Sequence, residues 1–355
     1  MILVLKKGLD QRRIDDVRER LQQLGLASES AQGFDHMLVI VAGDASTMPA
    51  HLFTQIEGVQ KVINVSARCP LVLSTTGDNF ALAGQATGLV SELPLIIAGP
   101  CSVESEEQIL ETAQAVKQAG AHALRGGAFK PRTNPYDFRG LGDQALVFLA
   151  NAGRLTGLPV VSEVMSAEQL GRAHDYIDVF QVGARNMYNY ELLKELGQTR
   201  KPILLKRAMS ATIDEFLQAA EYILLEGNLQ VILCERGIRT FETRTRNTLD
   251  LNAVALLKTL TKLPVIVDPS HGTGRSNLVR PLANAAIACG ADGLMIETHC
   301  RPATSISDAD QAVTPDQLGE IISQVKAIAR LLQPQASSSA PPAVQPEQKV
   351  LIRQH

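Results

Sequence analysis

From Pro94 onward the chain alternates short apolar runs with stretches of helical period. The runs are LIIAGP from 95, HALRGG from 122, PVVSE from 159, VFQVGA from 179, PILLKR from 202, VILCERG from 231, PVIVDPS from 264 and GLMIE from 293. Between them, segments such as Ser105 to Ala119, Thr212 to Leu225, Leu249 to Thr261 and Leu278 to Cys289 carry apolar residues three and four apart, as amphipathic helices do. Pro315 to Leu332 supplies the helix after the last run. Eight such strand–helix repeats predict a (β/α)8 TIM barrel over residues 94–332. A doubly wound open sheet is the other arrangement of alternating units, and the regularity of the repeats favours closure.

Residues 1–66 follow a different rhythm. MILVLKK reads as a strand, and Gln11 to Leu24 places Ile14, Val17, Leu21 and Leu24 on one helical face. A weak strand precedes Gly33, Met37 to Ala42 is a clear one, Met48 to Ile56 suits a short helix, and Val59 to Val65 alternates as a final strand. The β-α-β-β-α-β order predicts a small ferredoxin-like α+β domain. It holds no cluster of His, Cys and carboxylates, so its expected role is regulatory or oligomerising. Residues 67–93 are expected to be a linker. Residues 333–355, rich in Ser, Ala, Pro and Gln, cannot build a core and are expected to be a disordered tail.

Composition narrows the class. Hydrophobic content of 45% with 20% charged residues suits a globular enzyme, and a net charge of −3 argues against nucleic acid as a partner. No apolar run approaches bilayer-spanning length and the first residues lack a signal-type segment, so neither membrane association nor export is expected. The five scattered cysteines fit reduced thiols in a cytoplasmic protein.

The chemistry concentrates at strand ends. LRGGAFKPRTNPYDFRG, residues 124–140, leaves a strand, breaks at Gly126-Gly127 and sets out clustered cations, as a phosphate-binding loop requires. The cations divide into Arg125 with Lys130 and Arg132 with Thr133, which points to two phosphorylated ligands. Other strand ends carry Cys101, Glu163, Gln181, Arg185, Lys206, Glu235, Arg236, Asp268, His271 and Glu297. In a barrel these converge on one face, where such folds place their sites. Cys101, His271 and Glu297, with Asp308 beyond, form a mixed donor set suited to a borderline divalent ion: Mn²⁺, Fe²⁺, Co²⁺ or Zn²⁺. Arg125, Lys130, Arg185, Lys206 and Arg236 repel one another unless an anionic ligand joins them.

With AGPCSVES (98–105), LRGGAFKPRTNPYDFRGLG (124–142), SEVM (162–165), QVGARNMYNYELL (181–193), LLKRAMSAT (204–212), ERGIRTFETRTRNTLDL (235–251) and DPSHGTGR (268–275) in order, the chain resembles the 3-deoxy-D-arabino-heptulosonate 7-phosphate (DAHP) synthases. The resemblance is to the type with an N-terminal ferredoxin-like regulatory domain. It implies metal-dependent condensation of phosphoenolpyruvate with erythrose 4-phosphate, the first step of the shikimate pathway. It further implies that Arg125, Lys130, Arg185, Lys206 and Arg236 bind phosphoenolpyruvate and that Arg132 and Thr133 bind the aldose phosphate, with Pro131 shaping the turn. The implied metal ligands are Cys101, His271, Glu297 and Asp308. Lys130 is placed to pass a proton to the nascent alkoxide, and Glu163 is a candidate to activate water. A Tyr or Phe effector and a homotetramer are implied as well. The chain departs from the family pattern at IETHCRPATSISD, where relatives more often carry a Val-His-Pro run. The sister 3-deoxy-D-manno-octulosonate 8-phosphate synthases share the barrel but typically read Lys-Ala-Asn-Arg-Ser where this chain has Lys130-Pro131-Arg132-Thr133. A catalytically silent, metabolite-sensing paralogue would have lost a ligand or a cation, and all are present.

Overall fold

A computed structural model of the chain describes residues 1–32, 36–42, 48–49, 51–63, 69–74, 94–131, 134 and 136–332. The first unit comprises β1 (Ile2–Leu5), α1 (Gln11–Gln23), β2 (Ala27–Gln32), β3 (Met37–Ala42), α2 (His51–Thr54) and β4 (Val59–Ile63). Its antiparallel sheet has the order β2-β3-β1-β4, the expected ferredoxin-like path. α1 starts where the Asp10 side chain accepts the Arg13 N–H at 2.9 Å, and it buries Ile14, Val17 and Leu21 along one face. Strand alternation turns Leu3, Leu5, Val39 and Val41 toward those residues and Phe53. Ile2 and Leu38 take the other face, in an apolar cluster with Cys69, Leu71 and Val72 that is continuous with the second unit.

That continuity rests on a turn of helix inside the expected linker, α3 (Pro70–Ser74). Both carboxylate oxygens of Glu221 accept its first free N–H groups, from Leu71 and Val72, each at 2.9 Å. The Thr261 hydroxyl donates to Val72 O at 2.7 Å. Most of the remaining linker and the expected tail, 333–355, lie outside the described residues.

The second unit runs β5 (Leu95–Gly99), α4 (Glu106–Ala119), β6 (Ala123–Arg125), α5 (Asp143–Thr156), β7 (Val160–Glu163), α6 (Ala167–Ala173), β8 (Val179–Val182), α7 (Tyr190–Gly197), β9 (Ile203–Lys206) and α8 (Ile213–Leu225). It continues with β10 (Val231–Glu235), α9 (Leu251–Leu260), β11 (Val265–Val267), α10 (Pro269–Thr273), α11 (Ser276–Ala288), β12 (Gly293–Glu297) and α12 (Pro315–Leu332). The eight strands β5–β12 are parallel and close, with β12 beside β5. The fold is therefore a (β/α)8 barrel preceded by a small antiparallel unit. Among the described residues no helix is long and apolar enough to cross a membrane.

The barrel is filled rather than hollow. Leu95, Ile97, Ala123, Val161, Val179, Leu204, Ile232, Cys234, Ile266 and Met295 pack inside it. Their alternate neighbours, such as Ile96, Leu124, Phe180, Leu205 and Leu233, pack in the cluster that includes the surrounding helices. This inner apolar plug is the floor of the site.

Candidate active site

Strand alternation decides which polar side chains face the barrel mouth. Two residues past the interior Ala123, Val161, Val179, Leu204, Cys234, Ile266 and Met295 stand Arg125, Glu163, Gln181, Lys206, Arg236, Asp268 and Glu297. The period of two thus carries the inward register from apolar floor to polar ring. All seven are buried. Burying so much charge is unfavourable unless each group is paired or given a ligand.

One side of the ring is a donor cluster. Cys101, in the loop after β5, Glu297, at the end of β12, and Asp308, before α12, place one ligand atom each within 4.8 Å of one another. Cys101 Sγ lies 3.0 Å from Asp308 Oδ2 and 2.9 Å from Lys130 Nζ. His271 adjoins them from α10, where Asp268 accepts its N–H at 2.9 Å and its Nδ1 lies 2.7 Å from Asp268 Oδ2. That arrangement leaves Nε2 as the free ring atom, 3.4 Å from Glu297 Oε1. Burial, reinforced by Glu297, pushes the Cys101 thiol up to about 11. Its ionisation therefore needs a strong positive charge close by, which a divalent cation supplies and Lys130 supplies in part. Cys101, Glu297 and Asp308 could hold a metal ion, and His271 adjoins that group through Glu297 without belonging to it.

The other side is cationic. Arg125, Lys130, Arg185, Lys206, Arg236 and Arg246 line one cleft, with Pro131, Glu163, His271 and Asp308. Some are committed to protein partners: Arg125 donates to Glu297 Oε1 at 2.8 Å and Pro100 O at 2.9 Å, and Lys206 pairs with Asp268 at 2.5 Å. Burial pulls the Arg236 guanidinium below its ordinary value, with Arg246 and Arg185 adding repulsion, so an anion here relieves both effects. The backbone stays close: a Cβ at Gly127 would come 2.7 Å from Cys101 O, and one at Gly183 would overlap Glu163 Oε1. Glu163 Oε2 accepts from Gln181 at 3.3 Å, while its buried Oε1 has no protein partner and the residue lines the cleft.

The chain that carries this donor cluster and cationic cleft is similar along most of its length to known proteins. Residues 85–333 match the model of the DAHP synthetase I family. The chain belongs to that family. Residues 1–67 match the DAHP synthase ferredoxin-like domain. The phospho-2-dehydro-3-deoxyheptonate aldolase of Thermotoga maritima is 40% identical over 341 residues, 94% of this chain and 98% of that protein. A crystal structure of that aldolase, also called DAHP synthase, superposes with a TM-score of 0.70 at 39% identity, covering 93% of this chain and 97% of that one. A truncated form of the 3-deoxy-D-arabino-heptulosonate 7-phosphate synthase from Thermotoga maritima gives 0.63 at 44% identity, over 67% of this chain and 87% of that one. More distant is the 2-dehydro-3-deoxyphosphooctonate aldolase of Desulfatibacillum aliphaticivorans, 31% identical over 66% of this chain and 91% of that protein. As a family member the chain is an enzyme of the DAHP synthase type, and the family's chemistry is metal-dependent.

Within this member of the family, the cleft gathers Arg125, Lys130, Pro131, Glu163, Arg185, Lys206, Arg236, His271 and Asp308, with Cys101 and Glu297 buried beside it. Arg132 and Thr133 lie outside the described residues. The sequence reading missed Arg246, whose Nη1 lies 3.2 Å from Asp308 Oδ1 and 2.8 Å from Gln311 Oε1. Gln311 in turn donates to Glu297 Oε2 at 2.5 Å, so one arginine braces both carboxylates of the cluster. Four arginines stand between 236 and 246, and nothing in their spacing singles this one out. Cys300 is half-buried, and Arg301, beside it, pairs with Glu111 at 2.7 Å rather than with the cluster.

Proposed function

We propose that the barrel mouth condenses phosphoenolpyruvate with erythrose 4-phosphate and water, giving DAHP and inorganic phosphate. The observation that carries this reading is the convergence of Arg125, Lys130, Arg185, Lys206 and Arg236 on one cleft beside the Cys101, Glu297 and Asp308 cluster. Those five cations bind the carboxylate and phosphate of phosphoenolpyruvate and hold its C3 against the aldehyde. Arg132 and Thr133 take the phosphate of the aldose, in a turn shaped by Pro131. The divalent ion, Mn²⁺, Fe²⁺, Co²⁺ or Zn²⁺, is held by Cys101, His271, Glu297 and Asp308. When bound it supplies Lewis acidity toward the aldehyde oxygen.

The remaining chemistry falls to side chains. C3 forms the new carbon–carbon bond with the electrons of the C2–C3 double bond. The oxygen of water bonds to C2 and becomes the C2 carbonyl as the C2–O bond to phosphate breaks, and phosphate leaves with its bridging oxygen and the second proton of the water. Lys130 passes a proton toward the oxygen of the former aldehyde. Glu163, which lines the cleft and whose buried Oε1 has no protein partner, takes one proton from the attacking water. The first domain binds Tyr or Phe and closes over the mouth. The working form is a homotetramer in the cytoplasm.

Phosphate release from phosphoenolpyruvate decides the reading. Release with erythrose 4-phosphate and little with arabinose 5-phosphate is expected. The opposite preference would assign the octulosonate reaction, and release with neither would assign a silent paralogue.

A further inference from the structure

Asp308 adopts φ 55° and ψ 36°, and among the described residues it is the sole non-glycine residue with positive φ. Aspartate tolerates this conformation better than most residues, but it persists only where the surroundings over-determine it. The surroundings here are the loop after β5. Ser102 and Ser307 hydroxyls lie 2.6 Å apart, and Cys101 Sγ reaches Asp308 itself. Two residues further along, Glu104 Oε1 accepts the Ile306 N–H at 2.9 Å and lies 3.1 Å from Ser305 Oγ.

The second oxygen of Glu104 faces a buried histidine. His299 is 2% exposed, and its Nδ1 accepts the Arg301 N–H at 2.9 Å. That bond fixes the tautomer: the proton of the neutral ring sits on Nε2. Nε2 has no hydrogen-bond partner and lies 3.7 Å from Glu104 Oε2. Its backbone N–H is anchored to Val313 O at 3.0 Å. His299 therefore opens the excursion 299–308, Asp308 ends it, and Glu104 touches both halves.

We propose that Glu104, backed by His299, is a positioning residue for the metal centre, setting the backbone of Ile306–Asp308 so that the Asp308 carboxylate meets Cys101. This rests on the proposed ligand set of Cys101, His271, Glu297 and Asp308. Nothing in the proposal requires Glu104 to touch substrate or ion. It predicts a defect in metal affinity that excess metal overcomes, which a residue acting in the chemical step would not give.

The test is a Co²⁺ titration of the metal-stripped full-length protein, followed by the thiolate-to-cobalt absorption that Cys101 would contribute. Glu104→Ala is expected to weaken Co²⁺ binding about 10–100-fold, the range for loss of a group that orients a ligand. Glu104→Gln keeps an oxygen for the Ile306 N–H and should recover much of the affinity. Turnover of both variants should approach wild type at saturating metal. Wild-type Co²⁺ affinity in folded Glu104→Ala, checked by circular dichroism, would overturn the proposal even if its thermal unfolding temperature fell. Should Glu104→Ala not fold, wild-type affinity in His299→Asn together with a Glu104→Gln affinity as poor as that of a Cys101 variant would overturn it. A wild-type protein that develops no thiolate–cobalt absorption would instead refute the ligand set itself.

Discussion

Lys206 and His271 meet on a single oxygen of Asp268, at 2.5 and 2.7 Å. One belongs to the proposed phosphoenolpyruvate cations and the other to the proposed metal ligands, so the two halves of the site share one carboxylate. Burial alone would raise the Asp268 carboxyl, yet His271 and Lys206 hold it well below the carboxylate range. Asp268→Asn keeps the cap on the His271 N–H but removes the charge both partners lean on. Metal affinity should fall and the Michaelis constant for phosphoenolpyruvate should rise, each about 10–100-fold. Metal titration and steady-state kinetics on the same variant check this, and a change confined to one of the two would dissolve the coupling.

Cys101→Ser keeps the size of the side chain but replaces an ionisable sulfur with a hydroxyl that coordinates borderline ions poorly. Activity should fall by at least about 10–100-fold, the cost of losing even an outer-shell partner. In the wild type, prolonged dialysis against a chelator should abolish the reaction, and Mn²⁺ or a similar ion should restore it. Full activity in excess chelator would refute metal dependence.

The legible and illegible parts of this molecule divide by the range of the interactions involved. Period-two alternation is local, so Arg125, Glu163, Lys206, Asp268 and Glu297 could be assigned to strand ends and hence to one face. β2 was faint because its residues, ASESAQ, pair with one neighbour at a sheet edge and need not be apolar. α3 was missed because five residues give no helical period, and because its capping acceptor, Glu221, lies 150 positions from Leu71. Arg246 was missed for a related reason: its partners, Asp308 and Gln311, are brought to it only by closure of the barrel. The donor set of Cys101, His271, Glu297 and Asp308 was sorted by its chemistry at strand ends and matched by the family's motifs, but no spacing rule would have joined Cys101 to Asp308.

The two groups of cations should separate kinetically. Arg132→Ala should raise the Michaelis constant for erythrose 4-phosphate far more than that for phosphoenolpyruvate. Arg236→Ala should do the reverse, since Arg236 stands in the buried ring beside Arg185 and Arg246. Loss of one bidentate phosphate contact removes charge-assisted hydrogen bonds worth about 1.5–3 kcal/mol each. Equal effects of both variants on both substrates would mean that the cations act as one group.

Removal of the first domain should uncouple regulation from chemistry, because the strand-end residues all lie beyond Pro94. A chain beginning at Asn79 should retain the reaction and lose inhibition by Tyr or Phe, a coupling typically worth about 1–3 kcal/mol, or several-fold to about a hundredfold in affinity. The place of truncation matters. Starting at Asn79 removes α3, leaving the Glu221 carboxylate without the Leu71 and Val72 N–H groups and the Thr261 hydroxyl without Val72 O. A chain beginning at Cys69 keeps those bonds and should be the more stable of the two, by about 1–3 kcal/mol, the cost of stranding a buried polar group. Denaturant unfolding of both truncated chains measures that difference, and inhibition assays on the better-folded one measure the coupling. Undiminished inhibition in a folded, truncated chain would place the effector site in the barrel and end the regulatory reading of the first domain.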